Sequence, residues 1–311
     1  MTIRILASSP LVGPHLQHLG KRFPELSVAP YRSLAWKMGL ASAEALVVML
    51  SNQVTEADLQ MAPMLKVVGT YSVGVNNLPL EACRARGIRV VNTPDVLTDA
   101  TADLALGMLL ALTRRFAEGE ALVRSGGWKG WAPDQLLGIG LAGKTCGILG
   151  SGPIGKAFAR RVAALGMSPV FWARENMAPV DFGAGVAPRL PLEQLLPACA
   201  VLSLHCPLTP ETRGLLSAER LRLLPSGAFI VNTARGAILD ETCAMQMLHL
   251  GHLGGVALDV YDGEPKVDPA WLAAPRTVLL PHLGSATKET RSAMAKVLCD
   301  GIAATLEGKL G

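Results

Sequence analysis

The sequence predicts an α/β protein in which helices cover both faces of parallel sheets, a doubly wound arrangement. Two observations carry this expectation. Short apolar runs alternate along the chain with helix-length amphipathic stretches. One of those runs, TCGIL, leads straight into a glycine-rich turn at 150–155 that opens a helix. A length of 311 residues adds the expectation of two domains.

Taken in order, the strands expected in the first part are Ile3–Ala7, Ala45–Leu50, Lys66–Thr70 and Ile88–Val91. Helical stretches at Thr55–Ala62 and Leu80–Arg86 lie between them. Ala100–Phe116 reads as a long helix, apolar on most faces and free of proline, which suggests burial between two bodies. A glycine-rich connector (SGGWKGW, then LLGIGLAG) leads to a second strand set. These strands are Thr145–Leu149, Pro169–Trp172, Val201–His205, Ala228–Asn232, Gly255–Leu258 and Thr277–Leu280. The stretch with Pro188 and Pro191 reads as a loop, and Lys288–Leu306 as a last helix able to return to the first domain.

Composition narrows the classes. Half of the residues are apolar and only 17% are charged, so the chain can bury enough surface to offset its ordering entropy. With 29 Lys+Arg against 25 Asp+Glu, no basic run and no aromatic interleaving, nucleic acid is not an expected partner. The first ten residues lack a signal-peptide core. The two longest stretches without charge, Glu193 to Glu211 and Glu241 to Asp259, are broken by prolines, histidines or glycines, so no membrane span is expected. Cys83, Cys146, Cys199, Cys206, Cys243 and Cys299 are scattered without a C-x-x-C pair, as for reduced thiols in a cytoplasmic protein. His249 and His252 have no acid nearby, and no metal is expected.

Residues 150–155 read GSGPIG between a strand and the helical KAFARRVAALG. Gly150 allows a tight turn, Gly152 lets the backbone approach a pyrophosphate, and Gly155 lets helix and strand pack closely. The helix N-terminus supplies N–H donors for the anion. This is the pattern of a nicotinamide dinucleotide site. At the end of the next strand, where an NAD site places an acid, the chain has Ala173 followed by Arg174. A guanidinium binds a 2′-phosphate through forked, charge-assisted hydrogen bonds, so NADPH is the expected cofactor and NADH a possible one. If Glu175 faces the ribose instead, the preference reverses.

Three further segments end strands: VNTARG with Arg235, LDVYDGEP with Asp259 and Glu264, and LLPHLGS with His282. Open α/β sheets place ligands at such ends. An arginine, a carboxylate and a histidine there suit reduction of a 2-keto acid. Arg235 would hold the substrate carboxylate and polarise its carbonyl. His282 would donate a proton, and Glu264 would orient the imidazole and favour its charged form.

Together, GSGPIG, HCPLTPET, NTARG, LDVYDGEP and PHLGSAT resemble the D-isomer-specific 2-hydroxyacid dehydrogenase family over nearly the whole chain. The resemblance implies Arg235, Glu264 and His282 as catalytic residues. It also implies a Rossmann-type cofactor domain, about residues 98–282, inserted into a flavodoxin-like substrate domain of 1–97 plus 283–311, with the active site in the cleft between them. Within the family the chain is similar to glyoxylate/hydroxypyruvate reductases. On that likeness Thr101, Gly150, Ser151, Gly152, Pro153, Ile154, Gly155, Arg174, Cys206, Pro207, Thr233 and Asp259 are implied cofactor residues. Leu50 and Ser51 would line the substrate pocket, and N–H groups near Val73 and Gly74 would receive the keto acid's carboxylate. Trp131 is implied to enter the partner subunit's site in a homodimer, or else to be buried at the dimer interface. Asp103 stands where Glu is usual, and Pro207 where some members have a polar residue.

Other substrates stay open at this point: a larger 2-keto acid, 3-phosphoglycerate or phosphite. The substrate loop has Ser72-Val73-Gly74 where phosphite dehydrogenases carry Lys, and Glu264 stands where formate dehydrogenases carry Gln. A dinucleotide-sensing corepressor on the same fold is the alternative of another class.

Overall fold

Two parallel sheets organise the chain in the computed structural model, which describes residues 3–174 and 177–309. The first contains β1 (Arg4–Ala7), β2 (Glu25–Val28), β3 (Ala45–Met49), β4 (Val67–Tyr71) and β5 (Arg89–Val91), in the order β2-β1-β3-β4-β5. All four pairings are parallel. The linking helices are α1 (His15–Arg22), α2 (Leu34–Leu40), α3 (Glu56–Gln60) and α4 (Leu80–Ala85). Strands β3 and β4 are apolar and almost wholly buried, as central parallel strands must be. The edge strand β2 has no sequence signature, because its ELSV is mostly exposed and carries no apolar run. The first two helices lie outside the expected helical stretches; Ser33 caps α2 by accepting the Trp36 N–H.

The second unit runs from α5 (Thr98–Thr113) and α6 (Phe116–Arg124) through β6 (Thr145–Leu149), α7 (Pro153–Ala164) and β7 (Ser168–Trp172). A small antiparallel hairpin, β8 (Val180–Asp181) and β9 (Val186–Ala187), precedes α8 (Leu192–Leu195) and β10 (Val201–Leu204). Then follow α9 (Ala218–Leu221), β11 (Ala228–Asn232), α10 (Glu241–His249), β12 (Leu253–Leu258), α11 (Pro269–Ala273) and β13 (Thr277–Leu279). The sheet order is β13-β12-β11-β10-β6-β7, again all parallel. The direction in which successive strands are added reverses at β6, with β7 on one side and β10 on the other. The C-terminal ends of β6 and β10 therefore form the switch point at which such sheets bind ligands.

The long apolar helix ends three residues before the expected Phe116. Arg115 takes a left-handed conformation (φ 55°). The Thr113 carbonyl is claimed by the Ile139 N–H at 3.1 Å as the connector returns. A second helix, α6, starts at Phe116 with none of its residues buried. Within its own unit α5 buries Ala102, Ala105, Met108, Leu109 and Leu112 in a core shared with α7 and the sheet.

The last helix, α12 (Lys288–Leu306), belongs to the first unit and covers β4 and β5. Glycine makes this contact possible on both surfaces. A Cβ on Gly69 would stand 2.6 Å from Leu298 and 2.8 Å from Ile302, and one on Gly301 would stand 2.7 Å from Val91. The described residues up to Leu97 with those from Ser285 form one compact unit, and Thr98–Gly284 the other. The division thus falls after Gly284 rather than after His282. Asp259 binds the N–H groups of Leu283 and Gly284, which fixes both to the second unit. Among the described residues no helix is long and apolar enough to cross a membrane, and no three His, Cys, Asp or Glu side chains gather as a metal cluster.

Candidate active site

The turn after β6 is shaped by its three glycines. Gly150 has φ 110°, and a Cβ there would lie 2.8 Å from the Cys206 nitrogen and the His205 carbonyl. One on Gly155 would lie 2.1 Å from the Gly150 carbonyl oxygen, so the first turn of α7 rests directly on the loop. A Cβ on Gly152 would meet nothing within 4 Å. Gly152 is the N-cap of α7 with no side chain capping it, and Pro153 follows at the first helical position. Open space above a glycine, beside uncapped helix donors, fits a pyrophosphate. Ile154 is half-buried in that first turn.

The neighbouring residues are drawn into polar contacts. Ser151 Oγ accepts from Arg189 Nη2 at 3.1 Å. Arg174 Nη1 donates to Glu211 Oε2 at 3.3 Å and reaches Thr209 Oγ1 at 3.4 Å. Glu175, on which the opposite cofactor preference turns, lies outside the described residues. Cys206 is buried, and burial pushes its thiol up to about 11. The Pro207 carbonyl accepts the Thr212 hydroxyl at 2.6 Å. Thr233 Oγ1 lies 3.5 Å from His205 Nδ1, and His205 Nε2 lies 2.8 Å from Ser203 Oγ. Enclosure by protein pushes the His205 imidazole down to about 3. Thr101 Oγ1 donates to the Gly284 carbonyl at 3.0 Å.

Three strand tips of this unit bring Arg235, Glu264 and His282 together. His282 Nδ1 is 2.8 Å from Glu264 Oε2. An ionised carboxylate only accepts, so the Nδ1 hydrogen faces Glu264 and Nε2 is left to act elsewhere. Glu264 Oε1 accepts the Tyr261 N–H at 3.0 Å. Burial raises the Glu264 pKa, but the His282 hydrogen bond and charge, the Tyr261 N–H and the Arg235 charge outweigh it, leaving a net lowering. Arg235 is lowered by desolvation, partly offset by the charge of Glu264.

Backbone anchors hold these side chains. His282 has φ 58°, a left-handed conformation uncommon outside glycine. Its N–H donates to the Asp259 carbonyl at 3.0 Å. The carboxylate of Asp259, a residue 1% exposed, accepts from Leu283 N at 2.6 Å and Gly284 N at 2.8 Å. Desolvation raises its pKa, against those N–H groups and the His282 charge. Asp259 thus holds the turn that carries His282, a part that its place in LDVYDGEP does not announce. Buried Asn232 anchors the Arg235 segment: its Nδ2 donates to the Arg235 carbonyl at 3.0 Å and its Oδ1 accepts the Ala234 N–H at 3.0 Å. Its position in NTARG was the available signal. Glu241 is a further anchor that no sequence motif marks. Its carboxylate takes the Asp262 N–H at 2.8 Å and the Trp271 indole N–H at 2.8 Å, pinning the segment that carries Glu264.

In the first unit, Leu50 and Ser51 follow β3, and Val73 and Gly74 follow β4. These two loops are tied together by Asn77, another residue the sequence did not flag. Asn77 Nδ2 lies 3.2 Å from the Met49 and Asn52 carbonyls and 3.1 Å from Thr70 Oγ1. The Asn92 amide holds the Val73 carbonyl at 2.8 Å, and Ser72 Oγ donates to the Gly74 carbonyl at 2.6 Å. Trp131, in the connector of the second unit, is 84% exposed on the single chain.

A family profile described as the NAD-binding domain of D-isomer-specific 2-hydroxyacid dehydrogenases matches residues 106–284. A Thermococcus litoralis protein named glyoxylate reductase is 41% identical over 271 residues, covering 86% of this chain and 82% of its own. A Thermus thermophilus protein of known structure superposes with a TM-score of 0.90 at 43% identity, covering 98% of this chain and 97% of its own. A Sinorhizobium meliloti structure, titled NADPH-dependent glyoxylate/hydroxypyruvate reductase in complex with NADP and malonate, gives 0.88 at 30% identity. It covers 98% of this chain and 94% of its own. The fold and its glycine loop define a nicotinamide-dinucleotide oxidoreductase. More particularly, the chain belongs to the D-isomer-specific 2-hydroxyacid dehydrogenase family.

Proposed function

We propose that this protein reduces a small 2-keto acid of the glyoxylate or hydroxypyruvate type to its D-2-hydroxy acid, with NADPH as the preferred reductant. The observation that carries the reading is the 2.8 Å pair of His282 and Glu264 at the strand tips, with Arg235 close enough for its charge to act on the carboxylate. Names of the relatives support the substrate class.

The chemistry that NADPH would supply when bound is a hydride for the keto carbon. Gly150–Gly155 and the first turn of α7 would hold its pyrophosphate, and Arg174 would bind the 2′-phosphate. Thr101, Cys206, Pro207, Thr233 and Asp259 line the remaining cofactor surface. Arg235 takes the substrate carboxylate and draws charge toward the carbonyl oxygen. His282, held by Glu264 through Nδ1, gives the proton on Nε2 to that oxygen, so one hydride and one proton convert C=O to CH–OH. Leu50, Ser51, Val73 and Gly74 are the proposed substrate contacts on the first unit. The protein works as a cytoplasmic homodimer in this reading, with Trp131 of each protomer serving its partner. Support for the compartment comes from six cysteines free of disulfides, and for the dimer from exposed Phe116, Val123, Trp128 and Trp131.

The test follows NADPH and NADH absorbance with glyoxylate, hydroxypyruvate and phenylpyruvate. Faster oxidation of NADPH with the small acids is expected, and Arg174→Ala should weaken NADPH binding far more than NADH binding. No oxidation with any 2-keto acid would sink the proposal.

A further inference from the structure

Between β7 and β10 the chain does not form a full third strand. It passes through the β8–β9 hairpin and returns along the free edge of β7 as one parallel bridge, Phe171 to Arg189. The Phe171 N–H donates to the Pro188 carbonyl and the Leu190 N–H to the Phe171 carbonyl, both at 2.9 Å. This fixes the backbone of Arg189 beside the strand that ends just before Arg174. From there the half-buried Arg189 side chain crosses to the glycine loop and donates from Nη2 to Ser151 Oγ at 3.1 Å.

Two guanidinium groups therefore approach the same end of the sheet from different sides. Arg174 is held from the loop after β10 by Glu211 and Thr209. Arg189 comes from the opposite, outer edge of β7 and is held by the loop expected to cradle the cofactor. A phosphate monoester carries about −1.5 to −2 charges near neutral pH and three acceptor oxygens. One arginine, already shared with Glu211, leaves much of that charge uncompensated.

We propose that Arg189 is a second specificity-determining residue, which together with Arg174 binds the 2′-phosphate of NADP(H). Ser151 presents it. The proposal rests on the reading of this site as an NADPH site. Arg189 supplies forked donors from the outer edge of the sheet, and the Ser151 hydroxyl holds the fork at the loop while the phosphate enters. NADH, which lacks the phosphate, gains nothing from it.

The experiment measures binding rather than turnover. NADPH, NADH, adenosine 2′,5′-bisphosphate and AMP are titrated calorimetrically into the wild type, Arg189→Gln, Arg189→Lys and Arg174→Ala at low and high salt. Arg189→Gln should weaken NADPH and the bisphosphate roughly 10- to 100-fold, the range for a lost hydrogen bond to a charged group. NADH and AMP should change less than about 2-fold, and the salt dependence of NADPH binding should flatten. Arg189→Lys, which keeps the charge and loses the fork, should fall between wild type and Arg189→Gln, and it carries the test if the glutamine variant does not fold. An unchanged NADPH-to-NADH ratio in the Arg189 variants, or equal weakening of both nucleotides, overturns this proposal while leaving Arg174 in place. A wild type with no NADPH preference overturns the cofactor reading and this proposal together.

Discussion

A Cβ on Gly236 would stand 2.0 Å from the carbonyl carbon of Tyr261 and 2.1 Å from the Asp262 nitrogen. The loop that presents Arg235 is thus pressed against the backbone that presents Glu264, with no room for any other residue. Gly236→Ala must push the two loops apart. Overpacking of this kind costs about 1–3 kcal/mol. The expected result is a lower urea midpoint and a loss of kcat/KM larger than the loss of NADPH affinity. Wild-type kinetics in this variant would show that the close approach has no bearing on the reaction.

His282→Ala should lower kcat roughly 10²- to 10⁴-fold, the usual contribution of a positioned acid or base, with the NADPH Kd nearly unchanged. Single-turnover kinetics and a binding titration separate the two effects. Near-normal turnover would remove His282 from the reaction.

Glu264→Gln tests the partner of that imidazole. The folded-state pKa of Glu264 lies below the ordinary value of 4.5. Its contribution to stability is therefore complete above that value and disappears as pH falls through the folded one. The glutamine variant should lose stability relative to wild type at pH 6–7 and converge with it in acid, as followed by denaturant melts across pH. A gap that stays constant with pH would count against the ion pair.

His205 should govern stability over a different window. Its folded value is about 3, against 6.5 for a free imidazole. Between those values the unfolded chain takes up a proton that the folded one refuses, so stability falls as pH drops from 6.5 toward 3, by at most about 1.4 kcal/mol per unit from this group. His205→Asn should flatten that slope, measured as urea midpoints at pH 7.5, 6 and 5.

Trp271→Phe should expose the role of Glu241. Desolvation raises the Glu241 carboxyl, while the indole N–H and the Asp262 N–H pull it back. A raised carboxyl works against folding as pH rises through its folded value, and losing the indole donor strengthens that effect. The variant should lose about 1–3 kcal/mol at pH 7.5 and less near pH 4.5. Equal losses at both values would locate the cost in packing alone.

Much of this site was legible because its signals are local in the chain. Gly150, Gly152 and Gly155 lie within one turn, and Arg235, Glu264 and His282 each follow a recognisable apolar strand. The alternation of strands and helices likewise announced two parallel sheets. What stayed hidden depends on contacts between distant residues. Nothing around Arg189 says that it touches Ser151, 38 residues away, and nothing around Trp271 points to Glu241 across 30. Strand β2 lies on a solvent-facing edge and has no apolar signature. The end of α5 is set by Ile139 taking the carbonyl of Thr113, which helix periodicity cannot reveal.

The amide of Asn77 bridges the turns that follow β3 and β4. Those turns consequently behave as one jaw rather than two independent fingers. Remodelling either of them to admit a bulkier molecule would drag the other along, so a change of diet for this scaffold calls for coordinated revision of both turns.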